Sequence, residues 1–308
     1  MSAAVDSTSR VDRYCGRFAP SPTGPLHFGS LVAALASYCD ARAAGGEWLV
    51  RIEDVDEPRS RAGAESAILD TLTRYGFTWN GPIVRQSERS AEYERSLARL
   101  RAIGSVYPCA CTRRELEAAP FGAAGERVYP GTCRNGIADE PTPRAQRVRV
   151  DAAAIAFVDR LQGPQRQDLA RDIGDFVVRR ADGLFAYQLA VVVDDALQGV
   201  TTVVRGADLL ASTPRQIFLQ QLLGLVTPEY LHLPVAINRA GEKLSKQTHA
   251  QPLPDDPVPP LLAAWRFLEQ RTPDVRPSSA NEFLAWAIHT WSRGRLPPVA
   301  MLPAPRDF

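Results

Sequence analysis

A strand, a proline-broken loop, a helix and a second strand succeed one another within residues 14–52, and no other feature narrows the possible architecture as much. Residues 14–19 (Tyr-Cys-Gly-Arg-Phe-Ala) read as a short strand, broken by Pro20, Pro22, Gly24 and Pro25. Phe28, Leu31, Leu35 and Tyr38 then recur at helical spacing until Gly45 and Gly46 end the pattern. Residues 48–52 are a candidate buried strand. This unit predicts the opening of a parallel, doubly wound α/β sheet.

Residues 64–76 and 90–104 read as amphipathic helices. The stretch 105–185 changes character. It holds three of the five Cys, several Gly and Pro, dense Arg and little apolar material, and it reads as an insertion. At 185–193 a sheet-like apolar run resumes, 200–204 adds a strand, and 213–224 is helical. After Lys246 a Pro-rich linker leads to helices near 258–270 and 280–292. The implied division is a disordered leader (1–12), a first half of a catalytic domain (13–104), the insertion (105–185), a second half (186–247) and a short helical C-terminal region (248–308).

Charge and cysteine usage bound the function. Thirty-six basic against thirty-five acidic residues give a net charge of +1, which argues against a protein that holds nucleic acid by bulk charge. No stretch approaches the roughly 18 to 20 apolar residues of a membrane span, and residues 1–10 lack the apolar core of a secretory signal. An odd number of Cys without such a signal speaks for reduced thiols and the cytoplasm. Only two basic residues are Lys, and these are Lys243 and Lys246.

Three constellations carry chemistry. In the first, Arg17-Phe-Ala-Pro-Ser-Pro-Thr-Gly-Pro-Leu-His27-Phe-Gly-Ser30, the loop runs into a helix N-terminus that favours phosphate. Gly29 permits close backbone approach there, and His27 stands where its imidazole can donate. Alone, the segment is as well read as a Pro-rich connection. The second is Lys243-Leu-Ser-Lys-Gln247, whose two ammonium groups suit the charge developing on a transferring phosphate. Alone, it is a solvated charged loop. The third, Cys109-Ala-Cys111 with Tyr129 and Cys133, offers three thiolates and a phenolate to a tetrahedral zinc ion, or else three buried Cys.

In this order the motifs resemble the HIGH-type and KMSKS-type sequences of class I aminoacyl-tRNA synthetases. Arg17-Phe-Ala-Pro-Ser-Pro-Thr-Gly24 is similar to the glutamyl/glutaminyl branch. Arg51-Ile-Glu-Asp-Val-Asp56, Tyr187-Gln-Leu-Ala-Val-Val-Val-Asp-Asp195 and Val204-Arg-Gly206 extend the likeness over about 14–250. The resemblance implies a Rossmann-like α/β fold with a zinc-bearing insertion. It implies a glutamate pocket of Arg17, Phe18, Ala19, Pro20, Ser21, Glu53, Tyr187 and Arg205. Glu53 would face the ammonium, while Arg17 and Arg205 divide the carboxylates. ATP with Mg2+ would lie on His27, Gly29, Ser30 and Lys246, with His27, Lys243 and Lys246 stabilising phosphate charge. One structural Zn2+ would be held by Cys109, Cys111, Tyr129 and Cys133.

The departures from that branch are equally specific. Ordinary members continue past the second motif with a long helical anticodon-binding region, whereas 248–308 holds only six Arg and six acids. Ser30 replaces the last residue of the HIGH-type tetrapeptide, and Gln188 stands where Asn is frequent. These features resemble the family of glutamyl-Q tRNA(Asp) synthetases. That likeness implies a monomer that activates L-glutamate without tRNA and esterifies it to the queuosine of tRNA(Asp). A short glutamyl-tRNA synthetase acting at the 3′ end, and an inactive RNA-binding relative, are the alternatives.

Overall fold

The computed structural model describes residues 13–56, 60–122, 125–137, 145–151, 154–244, 251–305 and 308. The leader at 1–12 and Lys246 lie outside the described residues.

β1 (Cys15–Phe18) and β2 (Glu47–Ile52) pair in parallel, Cys15 opposite Glu47 and Phe18 opposite Val50. α1 (Phe28–Ala43) makes the crossover and is buried along most of its length. Its Ala34, Ala36 and Ala41 allow close packing on more than one side, and a helix apolar on most sides belongs inside a core. α2 (Ala64–Arg74) follows, then β3 (Val84–Arg85), which extends the sheet in parallel beyond β2, and α3 (Ser90–Ala102).

The next stretch is antiparallel. It contains β4 (Val106–Cys109), α4 (Arg113–Leu116), β5 (Ala145–Val148), β6 (Ala154–Asp159), β7 (Gly163–Asp168), α5 (Leu169–Asp172) and β8 (Phe176–Arg179). β4, β5 and β8 form one sheet in that order, while β6 and β7 form a hairpin. Gly163 closes the hairpin with φ 74°, a left-handed conformation that favours glycine. Two expectations are corrected here. The stretch is not poor in apolar material, since Val148, Val150, Ile155, Leu169, Ile173 and Phe176 are buried in one cluster with Leu189, Val193 and Ile217. The run 185–193 is not sheet: Tyr187 begins α6 (Tyr187–Leu197). Continuous apolar residues look alike in a buried strand and in a buried helix, so periodicity carries no signal there.

β9 (Thr202–Gly206) returns to the parallel arrangement. Thr201 N–H donates to the Cys15 carbonyl (2.9 Å) and Cys15 N–H to the Thr201 hydroxyl (2.9 Å), which sets β9 beside β1. α7 (Thr213–Leu223) leads to β10 (Glu229–Leu233), parallel to β9 with Arg205 opposite His232. β11 (Val235–Ile237), α8 (Val258–Phe267), α9 (Ala280–Thr290) and β12 (Met301–Pro303) complete the order, β12 pairing in parallel with β11. α8 and α9 cover α1. Phe28 meets Phe267 edge-on (5.6 Å), and Arg293 grips Asp40 of α1 through two 2.7 Å bonds. The last segment therefore fixes the helix whose N-terminus closes the first motif. Among the described residues, no helix is long and apolar enough to cross a membrane.

Candidate active site

The C-terminal ends of β1, β2, β9 and β10 open onto one cavity of about 620 Å³. Ligands bind at such strand ends in parallel sheets because helix N-termini and loops converge there. Arg17, Phe18, Ala19, Pro20, Ser21, His27, Gly29, Ser30, Glu53, Tyr187, Arg205 and Lys243 all line it.

One wall is the N-terminus of α1. His27 is the extended residue before the first turn (φ −122°, ψ 177°), and that turn carries no acidic side chain. Helix N-terminal N–H groups there are suited to an anion. A Cβ on Gly29 would lie 3.2 Å from His27 Cε1, so glycine lets the imidazole fold over the turn. Lys243 also lines the cavity. Asn238 Oδ1 accepts from the N–H groups of Ala240 and Glu242 (both 2.9 Å), closing a turn in which Gly241 has φ 80°. Lys243 Nζ then sits 2.5 Å from Asp208 Oδ2.

The deep wall is an alternating chain of buried charges. Arg17 Nε donates to Asp195 Oδ1 (3.1 Å), Arg51 Nη2 donates to the same oxygen (2.7 Å) and to Glu53 Oε1 (3.3 Å), and Arg51 Nη1 donates to Gln198 Oε1 (2.7 Å). Two guanidinium and two carboxylate groups balance, which is how charge is tolerated in a core. Their titration differs. Burial opposes ionisation of Asp195, but Arg17 and Arg51 outweigh it and hold that carboxyl below its usual range. For Glu53, burial prevails over Arg51 and Arg17 and raises the carboxyl. Burial, with Glu53 nearby, pushes the Tyr187 phenol up to about 12.

Arg205 makes the side wall. Its Nε donates to His232 Nε2 (3.0 Å), and its Nη2 donates to Thr213 Oγ1 (2.9 Å) and Gln216 Oε1 (2.8 Å). Gln216 in turn donates to Gln188 Oε1 (2.9 Å). Arg205 Nη1 is buried without a hydrogen-bond partner among the described residues. A buried donor left open in a cavity wall is suited to an incoming acceptor.

Away from the cavity, Cys109, Cys111 and Cys133 bring their sulfurs within 4.8 Å of one another. Tyr129 Oη lies 3.5 Å from two of these sulfurs and accepts from Cys133 N–H (2.9 Å). Burial alone would raise the Cys109 thiol, but bonds from Tyr129 and Arg147 lower it. Sulfurs on a tetrahedral zinc ion lie about 3.8 Å apart, from the Zn–S length, so the donor set fits a thiophilic metal ion.

Some residues of the site escaped sequence reasoning. Arg51 and Asp195 lay inside quoted motifs without an assigned role, and only a count of buried charges could have found them. His232, Asp159, Thr213 and Gln216 carried no local signal. Lys246, expected at the phosphates, lies outside the described residues.

A family profile described as "tRNA synthetases class I (E and Q), catalytic domain" matches residues 15–258. The chain is 56% identical to the glutamyl-Q tRNA(Asp) synthetase of Dechloromonas aromatica (strain RCB), over 95% of this chain and 98% of that one. It is 54% identical to that of Thiobacillus denitrificans, over 94% and 98%. A glutamate-tRNA synthetase of Elizabethkingia anophelis superposes with a TM-score of 0.78 at 23% identity, over 96% of this chain and 69% of that one, which shows a common fold. A glutamate tRNA ligase of Elizabethkingia meningosepticum CCUG26117 gives 0.76 at 24% identity, over 96% and 68%. With its parallel sheet, its helices and these relatives, the chain belongs to the class I tRNA synthetases of the E and Q group and, within them, to the glutamyl-Q tRNA(Asp) synthetase family.

Proposed function

We propose that this enzyme converts L-glutamate and ATP, taken as its Mg2+ complex, to glutamyl-adenylate and then esterifies queuosine of tRNA(Asp). The observation that carries this reading is the cavity's division of labour. Arg17 and Arg205, the latter with an open Nη1, offer two cations for two carboxylates, while Glu53 offers one anion for one ammonium. The first turn of α1, with His27, Gly29 and Ser30, offers the phosphate end.

In the first step a glutamate α-carboxylate oxygen attacks the α-phosphorus, and the bond to pyrophosphate breaks. No protein nucleophile is required, so positioning and electrostatics account for catalysis. Lys246 and His27 stabilise the phosphate charge, with Lys243 assisting. Arg17, Phe18, Ala19, Pro20, Ser21, Glu53, Tyr187 and Arg205 hold glutamate. In the second step a hydroxyl of the queuosine cyclopentenediol attacks the adenylate carbonyl, loses its proton, and AMP leaves. The acceptor assignment rests on relatives bearing this name at 56% and 54% identity over nearly their whole length.

Cys109, Cys111, Tyr129 and Cys133 would hold one Zn2+, which cross-links the loops that supply them and takes no part in the chemistry. Residues 13–104 and 186–247 are the two catalytic halves, 105–185 the insertion that bears zinc, and 248–308 the C-terminal region. A cytoplasmic monomer fits this reading.

The deciding experiment charges tRNA(Asp) lacking its CCA end, with and without queuosine. Glutamylation that needs queuosine and survives loss of CCA supports the proposal. Glutamylation that needs CCA instead assigns the enzyme to the 3′ end.

A further inference from the structure

The guanidinium of Arg205 is held by a buried histidine that has one usable tautomer. His232 lies on β10, fully buried, opposite Arg205 on β9. Its Nε2 is 3.0 Å from Arg205 Nε and 3.2 Å from the Thr213 hydroxyl. Guanidinium nitrogens only donate, so Nε2 must be a bare acceptor. The proton therefore sits on Nδ1, which lies 2.6 Å from Asp159 Oδ2.

Asp159 is committed just as fully. It ends β6, and its Oδ1 accepts from the N–H groups of Leu161 (3.0 Å), Gln162 (2.8 Å) and His232 (3.2 Å). Three backbone donors occupy one oxygen and leave the other for the imidazole. The hairpin turn is itself docked on β10, since Arg160 N–H donates to the Tyr230 carbonyl (2.8 Å) and Gln162 Nε2 to the His232 carbonyl (2.9 Å). A charged imidazole is excluded by burial and by Arg205 beside it, and His232 is pushed down to about 4 despite Asp159.

We propose that Asp159 and His232 are positioning residues for the amino-acid substrate. Asp159, from the β6–β7 hairpin, fixes His232 as the Nδ1–H tautomer, and the bare Nε2 aims the Arg205 guanidinium so that Nη1 meets a substrate carboxylate. This rests on the reading of Arg205 as a carboxylate ligand. It adds that the antiparallel stretch reaches into the pocket through one carboxylate, and that the pocket works only while that hairpin is docked.

Asp159→Asn tests the relay by inverting it. Three backbone N–H groups keep the amide oxygen in place of Oδ1, so the amide N–H faces His232 Nδ1. The imidazole must then carry its proton on Nε2, against Arg205 Nε–H, and two donors confront each other. In ATP–pyrophosphate exchange the KM for glutamate should rise tenfold or more, with the KM for ATP within twofold of the parent. His232→Gln supplies the rescue, because its amide oxygen can accept from Arg205 without any instruction from Asp159. The double variant Asp159→Asn/His232→Gln should recover most of the lost glutamate affinity. A glutamate KM within twofold of the parent in Asp159→Asn, or a double variant as impaired as the single one, overturns the proposal. Should Asp159→Asn fail to fold, the parent enzyme still decides. Long-range 15N–1H spectra, with His232 assigned by its loss in His232→Gln, should show protonated Nδ1 and bare Nε2, and a protonated Nε2 overturns the relay. If the parent shows no glutamate-dependent exchange, the functional reading fails, while the tautomer result stands or falls separately.

Discussion

Arg17 and Asp195 meet 3.1 Å apart inside the core, although 178 positions separate them. One leaves β1 and the other lies on α6, so this contact joins the two parts of the chain that build the cavity. Asp195 also accepts from Arg51 (2.7 Å), and Arg51 holds Glu53. A single carboxylate thus orients one guanidinium of the cavity directly and the Glu53 carboxylate through a second guanidinium.

Asp195→Asn should therefore harm both the fold and the site. Removing one partner from a buried ion pair costs about 3–5 kcal/mol, because the remaining charge has lost its neutraliser. Here two guanidinium groups are exposed to that cost at once. Urea unfolding should show a loss of that order, and the glutamate KM should rise at least tenfold. A variant with the parent's unfolding midpoint and KM would remove Asp195 from this role.

Acid should reveal His232. Its folded-state pKa is about 4 against an ordinary 6.5, so between those values the unfolded chain binds a proton that the folded chain does not. Stability therefore rises with pH across that window and falls on acidification from 6.5 to 4, by up to about 3 kcal/mol. Glu53 works with the opposite sign, since its raised carboxyl binds a proton more tightly when folded and costs stability as pH rises above its ordinary value. Asp159 and Asp195, both lowered, lose their contribution only further into acid. The comparison that isolates His232 is thus the parent against His232→Gln. The variant should lose much less stability between pH 6.5 and 4 in denaturant melts, and parallel curves would contradict the burial of a neutral imidazole.

Much of the cavity was legible because its residues cluster in short strings. Arg17 through Ser30 run from the end of β1 through one loop into the first turn of α1, so a local pattern carries a local structure. Glu53, Tyr187 and Arg205 each sit at the end or start of an element, where a strand edge or a first helical turn faces the cavity. The run 185–193 reads as sheet and folds as helix because an apolar stretch has no period when most of its faces are buried. The Asp159–His232 pair was invisible for another reason. Its members are 73 positions apart, each is common in isolation, and only the docking of a hairpin on β10 makes them partners.

The thiol cluster predicts a metal-dependent fold in its own neighbourhood. Tyr129 and Cys133 lie between β4 and β5, and among the described residues the sulfurs bond to each other, Tyr129 and Arg147 and pack in one small cluster with Tyr107, Leu116 and Ile137. A metal ion held by side chains from two separate stretches of the chain binds the folded segment and not the unfolded one, so metal loss should loosen it. The purified enzyme should hold one zinc per chain by elemental analysis. Cys133→Ser should hold far less, melt several degrees lower, and be cut more readily by protease between 109 and 137. Full zinc content in the variant would show that the ion lies elsewhere.

Lys243→Arg separates a point charge from a planar fork. The Lys243 ammonium reaches Asp208 at 2.5 Å, and both residues line the cavity. A guanidinium is longer and directional, and it replaces the compact charge with a different geometry. Adenylate formation should fall at least about tenfold in kcat, since outright loss of one such contact costs about 10²–10³-fold. The same substitution at Lys246 should do likewise. Normal exchange rates in both variants would make the isolated pair of lysines an accident of composition.

Gly29→Ala probes the wall proposed for the phosphates without touching the one proposed for the amino acid. Gly29 is the second residue of α1, where alanine is the better helix former by about 1 kcal/mol, so the fold should not weaken. The added Cβ falls 3.2 Å from His27 Cε1 and 3.4 Å from Nδ1, closer than carbon and a ring rest comfortably. The imidazole must give by a few tenths of an ångström at the helix N-terminus, which is where the nucleotide phosphates are expected. The KM for ATP should rise severalfold and kcat fall, while the KM for glutamate and the melting temperature hold. A rise in the glutamate KM with unchanged ATP kinetics would mean that the two ends of the cavity have been assigned in reverse.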